Sequence, residues 1–138
     1  MGSEMCIRDS VGNDGISPIT FYGMASGNYH IAVDHRTHLR IRTETATSLT
    51  TSSINSINFS NGSTAATGNT PMKIDNGVHL LWCGDTSSDE NINATDRGNT
   101  WNNRNLAAYN VSDVDLSGTC NAADRGITWN NRNLSAQY

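Results

Sequence analysis

The last third of this chain is a duplication. Asp96-Arg97-Gly98-Asn99-Thr100-Trp101-Asn102-Asn103-Arg104-Asn105-Leu106 returns 28 residues later as Asp124-Arg125-Gly126-Ile127-Thr128-Trp129-Asn130-Asn131-Arg132-Asn133-Leu134, with Asn99/Ile127 the one difference. Chance does not produce such a match, so the segments are expected to be two copies of one structural unit that stack on each other. Each copy closes a twelve-residue window that opens and ends on Asp: Asp85 to Asp96, and Asp113 to Asp124.

Within both windows the oxygen side chains fall at relative positions 1, 3, 5, 9 and 12. They are Asp85, Ser87, Asp89, Asn93 and Asp96 in the first, and Asp113, Asp115, Ser117, Asn121 and Asp124 in the second. This is the ligand spacing of an EF-hand-type calcium loop. Position 7, Asn91 or Thr119, would offer its backbone carbonyl, and position 8, Ile92 or Cys120, would point inward as a hydrophobe. Three carboxylates in each loop outweigh the two charges of the ion and favour its capture. The loops differ at position 6, where the chain must turn sharply. Gly118 does so freely, whereas Glu90 is expected at positive φ at roughly 1 kcal/mol. Ser87 is also neutral where the second loop has Asp115. Two Ca2+ sites are therefore expected, the second the stronger.

The segments after the loops, Asp96–Leu106 and Asp124–Leu134, read as helices, yet each holds a glycine and several asparagines, all poor helix formers. Isolated helices under ~12 residues are marginal in any case. An anchored loop, with Trp101 or Trp129 and Leu106 or Leu134 buried, would have to hold them. Trp101 and Trp129 are accordingly expected to pack between the units rather than to stack on a sugar or anchor a partner. Composition sharpens the need for an ion. Only 36% of the 138 residues are hydrophobic and 16% charged, and Asn, Ser and Thr make up about a third. A core this thin needs help. Calcium at ~100-fold above Kd would stabilise the fold by ~2.7 kcal/mol per site, which extracellular but not cytosolic calcium levels would supply.

Upstream, residues 12–83 read as short strands. The candidates are Ile19–Tyr22, the alternating Tyr29–His35, and Leu39–Thr43 joined to it through Arg36-Thr37-His38. In the Ser/Thr/Asn-rich stretch Thr43–Thr70, only Ile54–Phe59 is a strand candidate. Met72–Ile74 and Val78–Trp82 flank Asp75-Asn76-Gly77, a hairpin signal. Such spacing fits part of an antiparallel β-sandwich. His30 and His35 lie on opposite faces of one strand and cannot share an ion. His35 and His38 could meet across the turn, and packing or surface roles are expected of them. Cys83 and Cys120 read as small buried hydrophobes rather than a disulfide pair. Met1–Val11 resembles translated sequencing-adaptor read-through and is set aside, so the chain reads as the C-terminal part of a longer one.

Several classes are excluded. No apolar run reaches the ~18–20 residues of a membrane span. A net charge of −4 leaves no basic footprint for nucleic acid. No nucleophile–base pair, paired acid or catalytic metal motif is present, so the chain is not expected to be an enzyme.

Over Gly84–Leu134 the chain resembles the dockerin family, whose units pair a calcium loop with one following helix. Asp85, Ser87, Asp89, Asn91, Asn93 and Asp96 fall on the family's first ligand set, and Asp113, Asp115, Ser117, Thr119, Asn121 and Asp124 on the second. More closely, it is similar to the dockerin-type C-terminal region of secreted Bacteroidetes proteins, where an HRNHL-like string, here His35-Arg36-Thr37-His38-Leu39, precedes paired loops. Glu90 departs from the family's glycine. The resemblance implies a mixed fold: a partial antiparallel β-sandwich (12–83), then a small α module of two calcium loop–helix units (84–138). It implies a non-catalytic attachment or structural role at the end of an extracellular or cell-surface bacterial protein, with the parent's upstream domains and a cohesin-like or other protein as partners. The alternatives are an accessory region of a larger carbohydrate-active enzyme or peptidase, or a carbohydrate-binding β-domain using Tyr22, Tyr29 or Trp82.

Overall fold

The computed structural model describes Ser10, residues 17–52 and residues 54–138. The reading of Met1–Val11 therefore lies, Ser10 apart, outside the described residues. The remainder is mixed: six short strands, then two helices.

The strands are β1 (Gly27–Tyr29), β2 (Ala32–Val33), β3 (Ile41–Arg42), β4 (Thr47–Leu49), β5 (Lys73–Asp75) and β6 (Val78–Leu80). They form three separate two-stranded antiparallel ladders, β1–β4, β2–β3 and β5–β6. Gly27 faces Leu49, Val33 faces Ile41, and Ile74 faces His79. The alternation expected over Tyr29–His35 and Leu39–Thr43 is present, with every second side chain turned inward, but Tyr29–His35 is not one strand: Tyr29 ends β1 and Ala32–Val33 is β2, in separate ladders. The Arg36-Thr37 turn joins β2 to β3 as anticipated, and His38 N donates to His35 O at 3.0 Å across it. The Asn76-Gly77 turn, both residues at positive φ, likewise closes β5–β6.

Two strand expectations fail. Ile19–Tyr22 forms no ladder among the described residues. Ile54–Phe59 is irregular, while Thr47–Leu49, within the same polar stretch, supplies the strand. Local bonding explains the second case. The Asn58 side chain accepts from Ser60 N at 2.9 Å and Ser60 Oγ at 2.8 Å, a turn that competes with any ladder. Ile54 is exposed and only Phe59 is buried.

The helices are α1 (Ala94–Asn102) and α2 (Ala122–Asn130), nine residues each and 28 apart, so the duplication in sequence is a duplication in structure. They pack on each other. The backbone also crosses between the units. Ile92 of the first loop exchanges bonds with the segment after α2, through Leu134 O and Asn133 N, both at 2.8 Å. Cys120 of the second loop does the same after α1, through Leu106 O at 2.9 Å and Asn105 N at 2.8 Å. Asn105 and Asn133 leave their helices at φ 71° and 67°, a conformation asparagine adopts more readily than most residues.

The interior departs from an ordinary core. Among the described residues six hydrophobes are buried: Leu39, Ile41 and Phe59 upstream, and Ile92, Val114 and Cys120 in the repeat. Ten buried residues are polar or charged, among them Thr100, Thr128, Asp85, Asp96, Asp113 and Asp124. Trp101 and Trp129 are 49% and 46% exposed, which corrects the expectation that they are buried, although each ring lies against arginines of both units. Leu106 is exposed too. The buried helix face is instead a threonine in each copy. Thr100 Oγ1 donates to Arg97 O and Thr128 Oγ1 to Asp124 O, both at 2.9 Å, so these hydroxyls enter the interior already satisfied.

Candidate metal centre

Each loop folds its carboxylates onto one point. Oxygens of Asp85, Asp89 and Asp96 lie within 4.8 Å of one another, and so do those of Asp113, Asp115 and Asp124. In both triads the opening and closing Asp are buried and the middle one is exposed. The loop backbone produces this convergence by bonding to the opening Asp. Asp85 accepts from Asp89 N at 3.2 Å and Glu90 N at 2.9 Å. Asp113 accepts from Ser117 N at 3.0 Å and Gly118 N at 2.9 Å.

The closing Asp has a second task at the helix start. Asp96 accepts Asn93 N at 2.8 Å, and the Asn93 side chain accepts Thr95 N at 2.7 Å. Asp124 and Asn121 repeat this, with Asn121 N and Ala123 N both at 2.7 Å. These are N-terminal caps, each worth ~1 kcal/mol. A cost follows for position 9. Asn93 and Asn121 turn their oxygens to the helix, while their amide nitrogens face Asp89 Oδ2 (3.4 Å) and Thr119 Oγ1 (3.3 Å). Of the expected donors, those two oxygens do not converge on the triads. Ser87 does: its hydroxyl donates to Asp96 Oδ1 at 2.9 Å. Ser117 Oγ bonds to Thr119 O at 3.2 Å. The Asn91 amide donates to Asp89 O at 2.8 Å.

Position 6 behaves as predicted. Gly118 sits at φ 86° and Glu90 at φ 66°. Position 4 was not anticipated: Ser88 and Leu116 also have positive φ, 57° and 60°. Neither residue type signals this conformation in a sequence. Glu90 is also held from outside the loop. Its carboxylate pairs with Arg40 at 2.8 Å and accepts from Tyr138 OH at 2.7 Å.

The electrostatics are unbalanced. Asp85, Asp96, Asp113 and Asp124 are buried, and among the described residues none of them pairs with a Lys, Arg or His. Buried charges are ordinarily paired or bound to metal. Burial, reinforced by Asp96, pushes the Asp85 carboxyl above its usual range against the backbone bonds that favour ionisation. Asp115 goes the other way: burial opposes ionisation there, but hydrogen bonds led by those from Ser117 outweigh it.

The donor set fits a hard divalent cation. It is all oxygen, without the nitrogen or sulfur ligands that zinc or copper prefer. Two ligands across a calcium ion at ~2.4 Å each stand at most ~4.8 Å apart, and the carboxylate oxygens of each triad lie within that reach of one another. Cys83 and Cys120 are both free thiols rather than a disulfide, and Cys120 Sγ is buried against Thr100 O and Ser112 O. His35 and His38 do meet, Nδ1 to Nδ1 at 2.8 Å, but as one mutual hydrogen bond beside Thr37.

No family model matches the chain, and no curated protein or solved structure matches it. No helix among the described residues is long and apolar enough to cross a membrane.

Proposed function

We propose that residues 84–138 are a dockerin-like, calcium-dependent and non-catalytic module that attaches or spaces an extracellular protein, behind a partial β-sandwich. The observation that carries this reading is the pair of corresponding triads, each burying two carboxylates that pair with no Lys, Arg or His among the described residues. Calcium would supply the missing positive charge. Asp85, Ser87, Asp89 and Asp96 would hold it in the first loop, with the Asn91 carbonyl. Asp113, Asp115 and Asp124 would hold it in the second, with the Thr119 carbonyl. Asn93 and Asn121 cap the helices here and would act at most through water, as position 9 often does.

The closing Asp links ion to helix. It belongs to the triad and also caps the first turn, so a filled loop fixes a helix start that nine residues could not hold alone. Loop two, with Gly118 and three carboxylates within its first, third and twelfth positions, is the tighter site. An extracellular setting, where calcium is abundant, suits such a dependence.

Calorimetric titration with calcium, run beside circular dichroism with and without chelator, tests the proposal. Two sites of unequal affinity are expected, with loss of helix on chelation and a stabilisation of ~2.7 kcal/mol per site at ~100-fold excess over Kd. A helical signal and melting temperature indifferent to chelator would refute it.

A further inference from the structure

The two helices carry a surface that the calcium loops do not use. Arg97, Arg104, Arg125 and Arg132 are four of the chain's nine basic side chains, and all four are exposed beside the half-exposed Trp101 and Trp129. They interleave. Arg104 and Arg125 stand 4.3 and 4.8 Å from the Trp101 ring centre, and Arg132 and Arg97 stand 4.2 and 4.6 Å from that of Trp129. Each ring is thus shared between an arginine of its own unit and one from the other helix.

Stacking orients these guanidiniums without consuming their N–H groups. Arg104 and Arg132 each give one bond to a tryptophan carbonyl, at 2.9 and 2.8 Å. Among the described residues, no carboxylate pairs with any of the four. The helices expose no acidic side chain of their own, since Asp96 and Asp124 are buried. A chain of net charge −4 therefore presents two helices whose exposed charged side chains are all basic.

That face holds a cleft of about 270 Å³, lined by Ala94, Arg97, Gly98, Trp101 and Arg125. Gly98 is part of its lining, and the fold does not call for a glycine there. Its φ is ordinary, and an added Cβ would meet nothing within 4 Å; Gly126 in the other copy is the same. A glycine inside a helix costs ~1 kcal/mol relative to alanine. Here it leaves open space in a cleft shared with the Trp101 indole and two guanidiniums. The volume lies just under the ~300 Å³ at which pockets for drug-sized ligands begin, so it suits one ring rather than an extended side-chain anchor.

The geometry points to an acidic polysaccharide, a uronate-bearing glycan, as the occupant of this face, with sugar carboxylates on Arg97 and Arg125 and a sugar ring over Gly98 against Trp101. Charge complementarity and free guanidinium forks favour a carboxylate. The small cleft, kept open at Gly98, favours a ring. The repetition of the same residues on α2 favours a polymer with a repeating charge. The inference rests on the calcium reading only in that the helices must be formed.

The test is binding of hyaluronan oligosaccharides to the full chain in calcium, with neutral dextran oligosaccharides and polyglutamate as comparisons, and with circular dichroism on every sample. Hyaluronan is expected to bind, to weaken as salt screens the charges, and to exceed both comparisons. Arg97→Gln and Arg125→Gln should each lower affinity by about tenfold. Gly98→Gln should lower it comparably with charge unchanged, by filling the cleft. Absence of hyaluronan binding by a sample whose helical signal is intact would overturn the proposal. So would polyglutamate binding as tightly as hyaluronan, or a Gly98→Gln protein that binds like the parent. Failure of the calcium reading shows separately, as a helical signal that ignores chelator.

Discussion

Glu90 does two things that oppose each other. Its backbone takes the positive φ that Gly118 takes in the other loop, at a cost of roughly 1 kcal/mol. Its side chain then bonds Arg40 and Tyr138, contacts that a glycine would lack. The Arg40 pair is partly exposed and worth at most ~1 kcal/mol. Glu90→Gly should therefore leave overall stability within ~1 kcal/mol of the parent in urea unfolding, while calcium binds the first loop more tightly. A spectroscopic signature accompanies it. Burial first, and the bond to Glu90 second, push the Tyr138 phenol up to about 12. In the variant one tyrosine should titrate closer to the ordinary ~10. Asp115 allows a cleaner test of charge. It is exposed, and an amide in its place keeps an oxygen to accept Ser117 N. Asp115→Asn should stay within ~0.5 kcal/mol of the parent in chelator, yet lose about tenfold in affinity at the second loop, measured by calorimetry. A variant destabilised equally with and without calcium would show that Asp115 serves the fold alone.

At the scale of the element, the helices are held by devices with little apolar content. A cap at the front, a buried threonine in the middle and an asparagine exit at the back account for each. Neither tryptophan is needed to fill a core, because Ile92, Val114 and Cys120 occupy the interior beneath the helices. Gly98 is then the weakest point of α1. Since a Cβ there meets nothing, Gly98→Ala should raise stability by about 1 kcal/mol, seen as a higher melting temperature in calcium. A drop would mean that the position has a packing constraint. The duplication made the existence and register of both helices readable in the sequence. It did not reveal which face each would bury, because Thr and Trp lie one residue apart and composition favours burying the tryptophan. The threonine won because its hydroxyl satisfies itself on the preceding turn, which lets the helices approach closely.

At the scale of the molecule, the strand region and the repeat are joined by specific bonds. Gly84 N donates to Thr37 O and Asn131 Nδ2 to Cys83 O, both at 2.8 Å. The His35–His38 pair sits at this junction, where Asp34, Arg40, Asp85 and Glu90 line the same cavity. Burial, and then the neighbouring His35, lower His38 from 6.5 to about 4, and burial with Arg36 lowers His35 as well. Between these values the unfolded chain binds a proton that the folded chain does not. Stability should therefore fall as pH drops from about 6.5 towards about 4. Asp85, raised by burial, has the opposite slope, so the comparison that isolates the histidine is His38→Gln. Its melting temperature should decline less over that window than the parent's. An unchanged decline would place the acid sensitivity elsewhere.

What the sequence determined by itself was local. Ligand spacing, the turn residue at position 6, the Asn-Gly hairpin and the alternation along β2 and β3 each depend on neighbours a few residues away, and so they can be read from the chain. Only the tertiary structure decided how distant segments meet. Arg40 and Tyr138 reach Glu90 from opposite ends of the chain, and each tryptophan is shared with an arginine 24 or 32 residues away in the other unit. The strand of the polar stretch settled at Thr47–Leu49 because β1 was there to pair with it, and not at the more apolar Ile54–Phe59. Such pairings depend on which surfaces fold into reach. In a chain with so few hydrophobes, hydrogen bonds and charge decide them more than hydrophobic periodicity does.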